Sequence, residues 1–262
     1  MRPPVITLLT DFGLEDAYAG IVKGVILGIC GQTRIVDLTH DVAPQDIVGG
    51  ALLLRSAVAY FPPETIHLAV VDPGVGSARS PLLVRAGEAW LIGPDNGLLH
   101  PAAVQLGLGE VYILDRAQYH LAAASHTFHG RDVFAPVAAH LANGVSADAL
   151  GTRARGLAAL ELPRPVITRD GVTGQVIHVD RYGNLVTNIT TSDLAASKLA
   201  SPVVSLAGGA LAAVRSTYAD AACGETVALI GSWGNLEIAV RDGNAARRLA
   251  AGTGTAVSIR ES

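Results

Sequence analysis

The sequence predicts an α/β protein: an N-terminal α/β/α domain with a largely parallel sheet, followed by a smaller, mainly antiparallel C-terminal β domain. Strand-like and helix-like spacings of apolar residues alternate through the first 160 residues or so. After a proline-containing stretch at residues 162–165 (LPRP), short strand-like runs separated by glycine-containing turns largely replace the helices. Half of the 262 residues are hydrophobic and 16% are charged, which suits a chain with a large buried core.

Each predicted element rests on local apolar spacing. In the first part, three- and four-residue spacing predicts helices at 18–29, 46–60 and 134–141. Apolar runs there predict strands at 5–10, 34–38, 65–71, 82–84, 89–92 and 111–114. The second part contains strand-like runs at 174–179, 185–189, 203–206, 226–230, 236–240 and 256–259. With the boundary at the prolines, the predicted domains are 1–162 and 166–262.

Composition argues against several classes of function. The formal net charge is −4 and Lys and Arg form no cluster, so no nucleic-acid partner is expected. No apolar stretch approaches the ~18 residues of a membrane helix and no secretion signal is recognisable, so no membrane partner is expected. Cys30 and Cys223, the two cysteines, form neither a disulfide framework nor a zinc signature. We therefore expect a cytoplasmic protein.

Two acidic side chains follow predicted strands of the first domain. Asp11 lies in residues 10–13 (TDFG), directly after the first strand, where an acid commonly binds ribose hydroxyls. Asp72 opens residues 72–79 (DPGVGSAR), a glycine-rich turn that lacks both the dinucleotide fingerprint and the phosphate-loop motif. Ligands in open α/β sheets bind beyond the carboxyl ends of strands, so both turns are candidate binding segments. Ordinary turns with solvated charges are the alternative.

A histidine-containing segment precedes the last predicted helix of the first domain. Residues 126–132 (HTFHGRD) place His126, His129 and Asp132 three residues apart, a spacing that on a helix would allow a metal site. Gly130 argues against a helix here and no separate ligand cluster stands out, so we predict no metal. His129 is a candidate catalytic residue because histidine titrates near neutral pH. A capped helix start with solvated side chains is the alternative.

Two turns of the second domain carry polar or aromatic side chains. Residues 180–184 (DRYGN) place Asp180 and Asn184 where they could contact an amine or a base edge, although the turn is also good hairpin chemistry. Residues 230–239 (IGSWGNLEIA) place Trp233 between glycines, where the indole could stack on a flat ring or anchor the core. Neither turn alone distinguishes a binding role from a structural one.

Five segments in order resemble one family, the S-adenosyl-L-methionine (SAM) hydrolases or SAM hydroxide adenosyltransferases, relatives of the fluorinating and chlorinating adenosyltransferases. The segments are 10–13, 71–76, 128–132, 180–184 and 235–239. The resemblance implies an N-terminal α/β domain and a C-terminal β domain, with SAM as substrate, adenosine as product and no cofactor. It also implies a homotrimer in which each active site lies between the N-terminal domain of one subunit and the C-terminal domain of the next.

The same resemblance implies roles for individual residues. Asp72, Arg79 and His129 match the family's water-activating set, and Asp11 matches the acid that holds both ribose hydroxyls. The remaining expected contacts with the substrate are Gly130, Asp180, Asn184, Tyr218, Ser232, Trp233 and Ala239. The implied reaction is metal-independent hydrolysis of SAM to adenosine and L-methionine, by in-line attack of water on the ribose C5′.

Several features place the sequence with the hydrolases rather than the halogenating relatives. The halogenating enzymes carry Tyr where Asp72 stands. The fluorinating enzymes have Ser at the position of Gly130 and an extra N-terminal loop for which this chain is too short. They also have Trp where Gln45 stands, so we expect this part of the pocket to differ. The alternatives left open are a halide adenosyltransferase, a non-catalytic sensor of SAM or adenosine, and a metal-dependent hydrolase.

Overall fold

A computed structural model describes residues 3–122, 125–207 and 209–261, with only the backbone described at 209–211. The chain divides into two units, Met1–Leu160 and Glu161–Ser262. That 1–162 and 166–262 are separate folding domains stays a prediction.

The N-terminal unit is built on one sheet with helices on its faces. Its strands are β1 (Val5–Thr10), β2 (Arg34–Thr39), β3 (Ile66–Val70), β4 (Pro81–Ala86), β5 (Ala89–Pro94), β6 (Leu108–Ile113) and β7 (Thr152–Ala154). Its helices are α1 (Tyr18–Ile29), α2 (Ile47–Val58), α3 (His100–Leu106), α4 (Ala135–Ala142) and α5 (Ala147–Leu150). A 3-10 turn (Ala117–Tyr119) follows β6, and a π-helical turn (Gly130–Phe134) leads into α4.

The order of the seven strands is β2-β1-β3-β5-β4-β6-β7. Strands β2, β1, β3 and β5 are mutually parallel, whereas β4, β6 and β7 pair antiparallel with their neighbours. The predicted α/β class and largely parallel sheet are thus confirmed. Because the chain passes from β1 to β2 on one side and β3 lies on the other, strand order reverses between β1 and β3. Ligands of doubly wound sheets bind at such a reversal.

Apolar side chains cover both faces of this sheet. On one face, residues of α1 and α4 such as Val22, Ile26 and Val137 belong to a core with the buried side chains of β1 and β3. On the other face, residues of α2 and α3 such as Leu54 and Ala102 form a second core. The N-terminal unit therefore has the predicted three layers.

The C-terminal unit is a β structure that closes on itself. Its strands are β8 (Val166–Thr168), β9 (Gly171–Val179), β10 (Leu185–Thr190), β11 (Pro202–Leu206), β12 (Gly209–Arg215), β13 (Thr226–Ile230), β14 (Asn235–Val240) and β15 (Ala256–Glu261). Their order is β10-β14-β13-β12-β11-β15-β9-β8, and a further pairing of β10 with β9 closes a barrel. All pairs are antiparallel except β12–β13, which confirms the predicted mainly antiparallel class. The helical segments are α6 (Thr191–Ser197), a 3-10 turn (Tyr218–Asp220) and α7 (Ala245–Arg248).

The two cysteines are both free, Cys30 buried and Cys223 exposed. Within the described ranges, no helix is both long and apolar enough to pass through a membrane. The cytoplasmic location stays a prediction.

Candidate active site

The structure brings Asp72, Arg79 and His129 into direct contact. Asp72 follows β3, and the glycine-rich turn after it returns the Arg79 side chain to its carboxylate. Arg79 Nε donates to Asp72 Oδ1 at 2.9 Å, and Arg79 Nη2 donates to Asp72 Oδ2. Arg79 Nη2 also lies 2.8 Å from His129 Nδ1. The Asp72 and Arg79 side chains are only 5% and 8% exposed, so this ion pair is screened little by solvent.

The contact with Arg79 determines the state of His129. A guanidinium has no acceptor, so His129 Nδ1 accepts the hydrogen bond and the neutral ring carries its proton on Nε2. Burial, followed by the positive charge of Arg79, lowers the pKa of His129 below its ordinary value. His129 is therefore neutral near pH 7, with Nε2–H as a donor.

Asp11 lies at the carboxyl end of β1, the strand that pairs with β3, and Asp72 follows β3. Thr10 is paired with Val70 in the parallel register of β1 and β3, so the acids that follow the two strands emerge at the same sheet edge. Asp11 Oδ2 accepts from the backbone N–H of Gln45 at 2.8 Å. Gln45 has φ +67°, a left-handed conformation that non-glycine residues seldom adopt. The backbone of Gln45, and not its side chain, thus contacts Asp11, the residue predicted to bind the ribose hydroxyls.

A cavity of about 310 Å³ opens at this edge of the sheet. Its lining includes Asp11, Phe12, Gln45, Asp72, His129 and Gly130. The volume lies at the lower end of the range typical of small-molecule sites. The lining combines two carboxylates and an imidazole with aromatic carbon, a combination suited to a polar ligand that carries a flat ring.

Gly130 lies between two phenyl rings of this cavity. A Cβ on Gly130 would be 3.2 Å from both Phe12 Cζ and Phe128 Cε2, a spacing tighter than ordinary carbon contacts. The two rings meet edge to face, with centroids 5.7 Å apart. Gly130 also begins the π-helical turn, a feature common at functional sites. The glycine predicted as a substrate contact thus allows the two rings to lie close to its own backbone.

In the C-terminal unit, Asp180 and Asn184 bind each other within one turn. Asp180 Oδ1 accepts from the backbone N–H groups of Tyr182 and Asn184 at 2.9 and 2.8 Å. Asp180 Oδ2 accepts from Asn184 Nδ2 at 3.0 Å. Gly183 between them has φ +85°, and a Cβ there would meet the Asn244 side chain at 2.1 Å. Both carboxylate oxygens therefore maintain the turn itself.

Tyr218 contacts an acid that the sequence analysis did not single out. Tyr218 Oη donates to Glu237 Oε1 at 2.5 Å, and Glu237 is 7% exposed. Burial raises the pKa of Glu237, and burial with this hydrogen bond raises the pKa of Tyr218. The charge of Asp180 raises both pKa values further. An acid within the apolar run of β14 was the signal that could have identified Glu237.

The other predicted contacts of this unit differ in their surroundings. Ser232 is exposed in the turn between β13 and β14. Trp233 packs on His178, with ring centroids 5.3 Å apart and planes 30° apart. Ala239 is buried in β14 opposite Val227 of β13. These positions combine an exposed hydroxyl, an aromatic face and buried backbone.

Asp132, one of the three hypothetical metal ligands, has other partners. The buried Asp132 carboxylate accepts from the backbone N–H of Ser125 at 2.7 Å and from Arg131 Nε at 2.6 Å. Throughout residues 3–122, 125–207 and 209–261, His, Cys, Asp and Glu side chains form no group of three placed to hold a metal ion.

Comparisons with known proteins agree with this architecture. Residues 6–151 match the model of the SAM hydroxide adenosyltransferase N-terminal domain, and residues 174–258 match that of the C-terminal domain. The chain is 41% identical to the (R)-S-adenosyl-L-methionine hydrolase of Salinispora tropica, over 93% of this chain and 92% of that protein. It is 29% identical to a fluorinase of an Actinoplanes species, over 73% of each protein.

A solved structure is also similar over almost the whole chain. The crystal structure of a conserved, uncharacterized Thermotoga maritima protein has a TM-score of 0.92 and 34% identity, covering 98% of this chain and 100% of that one. Both family models match in the expected order, and the match to the Salinispora tropica hydrolase extends across both units. The chain therefore belongs to the SAM hydroxide adenosyltransferase family.

Proposed function

We propose that this protein hydrolyses S-adenosyl-L-methionine with the R configuration at sulfur, releasing adenosine and L-methionine. The observation that carries the proposal is the Asp72–Arg79–His129 contact at a cavity that also contains Asp11. The relative at 41% identity is named a hydrolase of this epimer, whereas the fluorinase is only 29% identical. SAM is the substrate, and no cofactor is required by the reaction.

The bond changes need one proton acceptor and no stabilised leaving anion. The water oxygen bonds to C5′ as the C5′–S⁺ bond breaks, and the bonding electron pair passes to sulfur to form the neutral thioether of methionine. The water proton passes to the Asp72 carboxylate and then to solvent. Proton transfer to such a base contributes roughly 10²–10⁴-fold, and fixing water in line with the C5′–S bond contributes more.

Arg79 and His129 orient Asp72 and the water. The fork of Arg79 binds both oxygens of Asp72, which fixes the plane of the carboxylate. With its proton on Nε2, neutral His129 is a donor and not the base. Asp72 is thus the proton acceptor, while His129 holds the water or a substrate oxygen.

The other predicted contacts bind the rest of the substrate. Asp11 accepts hydrogen bonds from the two ribose hydroxyls, beside the flat, apolar surface of Phe12 and Gly130. Asp180 and Asn184 take the methionine end, Ser232 and the backbone near Ala239 contact the methionine end and adenine edge, and Tyr218 and Trp233 contact the ligand. We propose a homotrimer in which these C-terminal residues complete the site of a neighbouring subunit.

The decisive experiment is chromatography and mass spectrometry of the full-length protein incubated with each sulfonium epimer, with and without chloride, in water enriched in oxygen-18. We expect adenosine with oxygen-18 at its 5′ hydroxyl, formed from the R epimer and independent of chloride. A chloride-dependent 5′-chloro nucleoside would instead identify a halide transferase. Binding of SAM without any product would overturn hydrolysis and support a sensor.

A further inference from the structure

Two buried threonine–histidine pairs lie along β1. The distance from Thr10 Oγ1 to His40 Nδ1 is 2.8 Å, and the distance from Thr7 Oγ1 to His67 Nδ1 is also 2.8 Å. All four residues are less than 5% exposed. Thr7 and His67 are opposite each other inside the sheet, whereas the Thr10 pair lies at its carboxyl end, next to Asp11.

His40 binds the turn that carries Asp11 at both ends. Its ring contacts Thr10 Oγ1, which in turn accepts from the backbone N–H of Phe12 at 3.2 Å. Its backbone carbonyl accepts from the N–H of Gly13 at 2.8 Å. At 4% exposure, His40 influences a ligand only through this turn.

Charged groups behind the ring set the direction of these bonds. His40 Nε2 lies 3.2 Å from Asp37 Oδ1, outside good hydrogen-bond geometry, and Lys23 Nζ donates to Asp37 Oδ2 at 2.6 Å. The negative carboxylate favours a proton on Nε2, so Nδ1 accepts from the Thr10 hydroxyl. Thr10 Oγ1 then remains an acceptor for Phe12 N–H. Each donor in this series of hydrogen bonds thus faces an acceptor.

We propose that His40 is a positioning residue that, through Thr10, fixes Asp11 for the ribose hydroxyls and thereby sets selectivity for ribose over deoxyribose nucleosides. The inference rests on the proposed function, in which Asp11 binds ribose. A carboxylate that accepts from two vicinal hydroxyls must keep its plane fixed, and Asp11 itself is held only by Gln45 N–H and by this turn among the described contacts.

The test compares two substitutions of the same shape on one strand. Thr10→Val removes the hydroxyl next to Asp11, and Thr7→Val removes the matched hydroxyl inside the sheet. Calorimetry measures Kd for adenosine and for 2′,3′-dideoxyadenosine. We expect Thr10→Val to weaken the binding of adenosine roughly tenfold and that of the dideoxy ligand little. The lost hydrogen bond matters only for a ligand whose ribose hydroxyls bind Asp11. Thr7→Val should leave the ratio of the two Kd values unchanged.

Variants of His40 test the same series of hydrogen bonds without altering Thr10. The Asn oxygen of His40→Asn can occupy the position of Nδ1 and should preserve the adenosine preference, whereas His40→Leu should lose it. In an Asp11→Ala background, Thr10→Val should have no additional effect on adenosine binding, as expected for residues acting as one unit.

Different failures overturn different statements. Equal weakening of both ligands by Thr10→Val, or an equal loss of preference in Thr7→Val, would show that Thr10 is merely structural and overturn the positioning role. If the wild type hydrolyses SAM and Asp11→Ala abolishes ribose preference while Thr10→Val and His40→Leu keep it, the inference is wrong and the proposed function stands. A wild type that binds both nucleosides equally would overturn the ribose role of Asp11 itself.

Discussion

At the residue scale, a single ion pair organises the candidate chemistry. Arg79 donates to both oxygens of Asp72 and to His129 Nδ1, and its guanidinium lies 5.5 Å from the centre of the Phe134 ring. Lysine in place of arginine could not make these directed bonds from one planar group. In the proposed mechanism this contact gives the two side chains distinct roles, with Asp72 accepting a proton and His129 donating one hydrogen bond.

Substitution of Asp72 tests its role as base. We expect Asp72→Asn to lower kcat for SAM roughly 10²–10⁴-fold while adenosine affinity changes little, because the amide keeps the shape but cannot accept the proton. Steady-state kinetics and calorimetry measure the two effects. Asp95→Asn is a matched control, since Asp95 directly follows β5 in the same sheet but holds the backbone N–H of Ala158. Wild-type kcat in Asp72→Asn would contradict the assignment.

The state of His129 leads to a prediction about pH. Its pKa is lowered, so His129 is neutral above the ordinary value of about 6.5 and charges as pH falls through the lower, folded-state pKa. Protonation places a second N–H against Arg79 and breaks their bond, so we expect kcat to fall on the acid side. The stabilisation from folding with a neutral ring is likewise full above pH 6.5 or so and is lost below it.

A non-titrating variant identifies the group responsible. In His129→Asn the amide oxygen can still accept from Arg79, so the acid limb that belongs to His129 should disappear from the pH profile. If the limb is unchanged, another group controls the acid side and His129 has no role in it.

At the element scale, the π-helical turn before α4 places His129 and depends on a glycine. Gly130→Ala should destabilise the protein by about 1–3 kcal/mol and lower activity, because its Cβ forces the rings of Phe12 and Phe128 apart. Gly24→Ala is the control: Gly24 lies in α1, a Cβ there meets nothing within 4 Å, and alanine is the better helix former. We expect that variant to be stabilised by about 0.5–1 kcal/mol. Urea denaturation measures the free energy of unfolding of both variants. An unchanged free energy of unfolding in Gly130→Ala would contradict the packing argument.

An element could be predicted where its own residues carry a regular pattern of apolar side chains. β1 and α1 were predicted with the bounds that the structure has, because their apolar spacing is regular. α3 was missed because it has only seven residues and contains Pro101, and β12 was missed because its glycine and alanines have low strand propensity. The acids at the ends of β1 and β3 were found because a strand end is visible in sequence.

At the scale of the whole molecule, the candidate residues are divided between two units. Asp11, Asp72, Arg79 and His129 belong to Met1–Leu160, and the contacts proposed for the methionine end and adenine edge belong to Glu161–Ser262. The proposed trimer would combine the two sets from neighbouring subunits. Light scattering of the purified protein should then give three times the mass of one chain; a monomer would contradict the assembly.

Mixing two inactive variants tests the sharing of sites. If the proposed contacts are right, Asp72→Asn inactivates the part of the site in the first unit and Asn184→Ala the part in the second. In trimers assembled at random from equal amounts, each mixed trimer regains one site, so about a quarter of wild-type activity is expected. Sites contained within one chain would regain none, and each variant assembled alone is the control for residual activity.

The sequence by itself determined the fold class, most strands and long helices, and the acids placed at strand ends, because apolar period and turn chemistry are local properties. Only the tertiary structure decided that Arg79 binds both Asp72 and His129, that Gln45 holds Asp11 through its backbone, and that Tyr218 binds Glu237. Those contacts join residues up to 50 positions apart, and their geometry depends on strand order and packing, which no local pattern encodes.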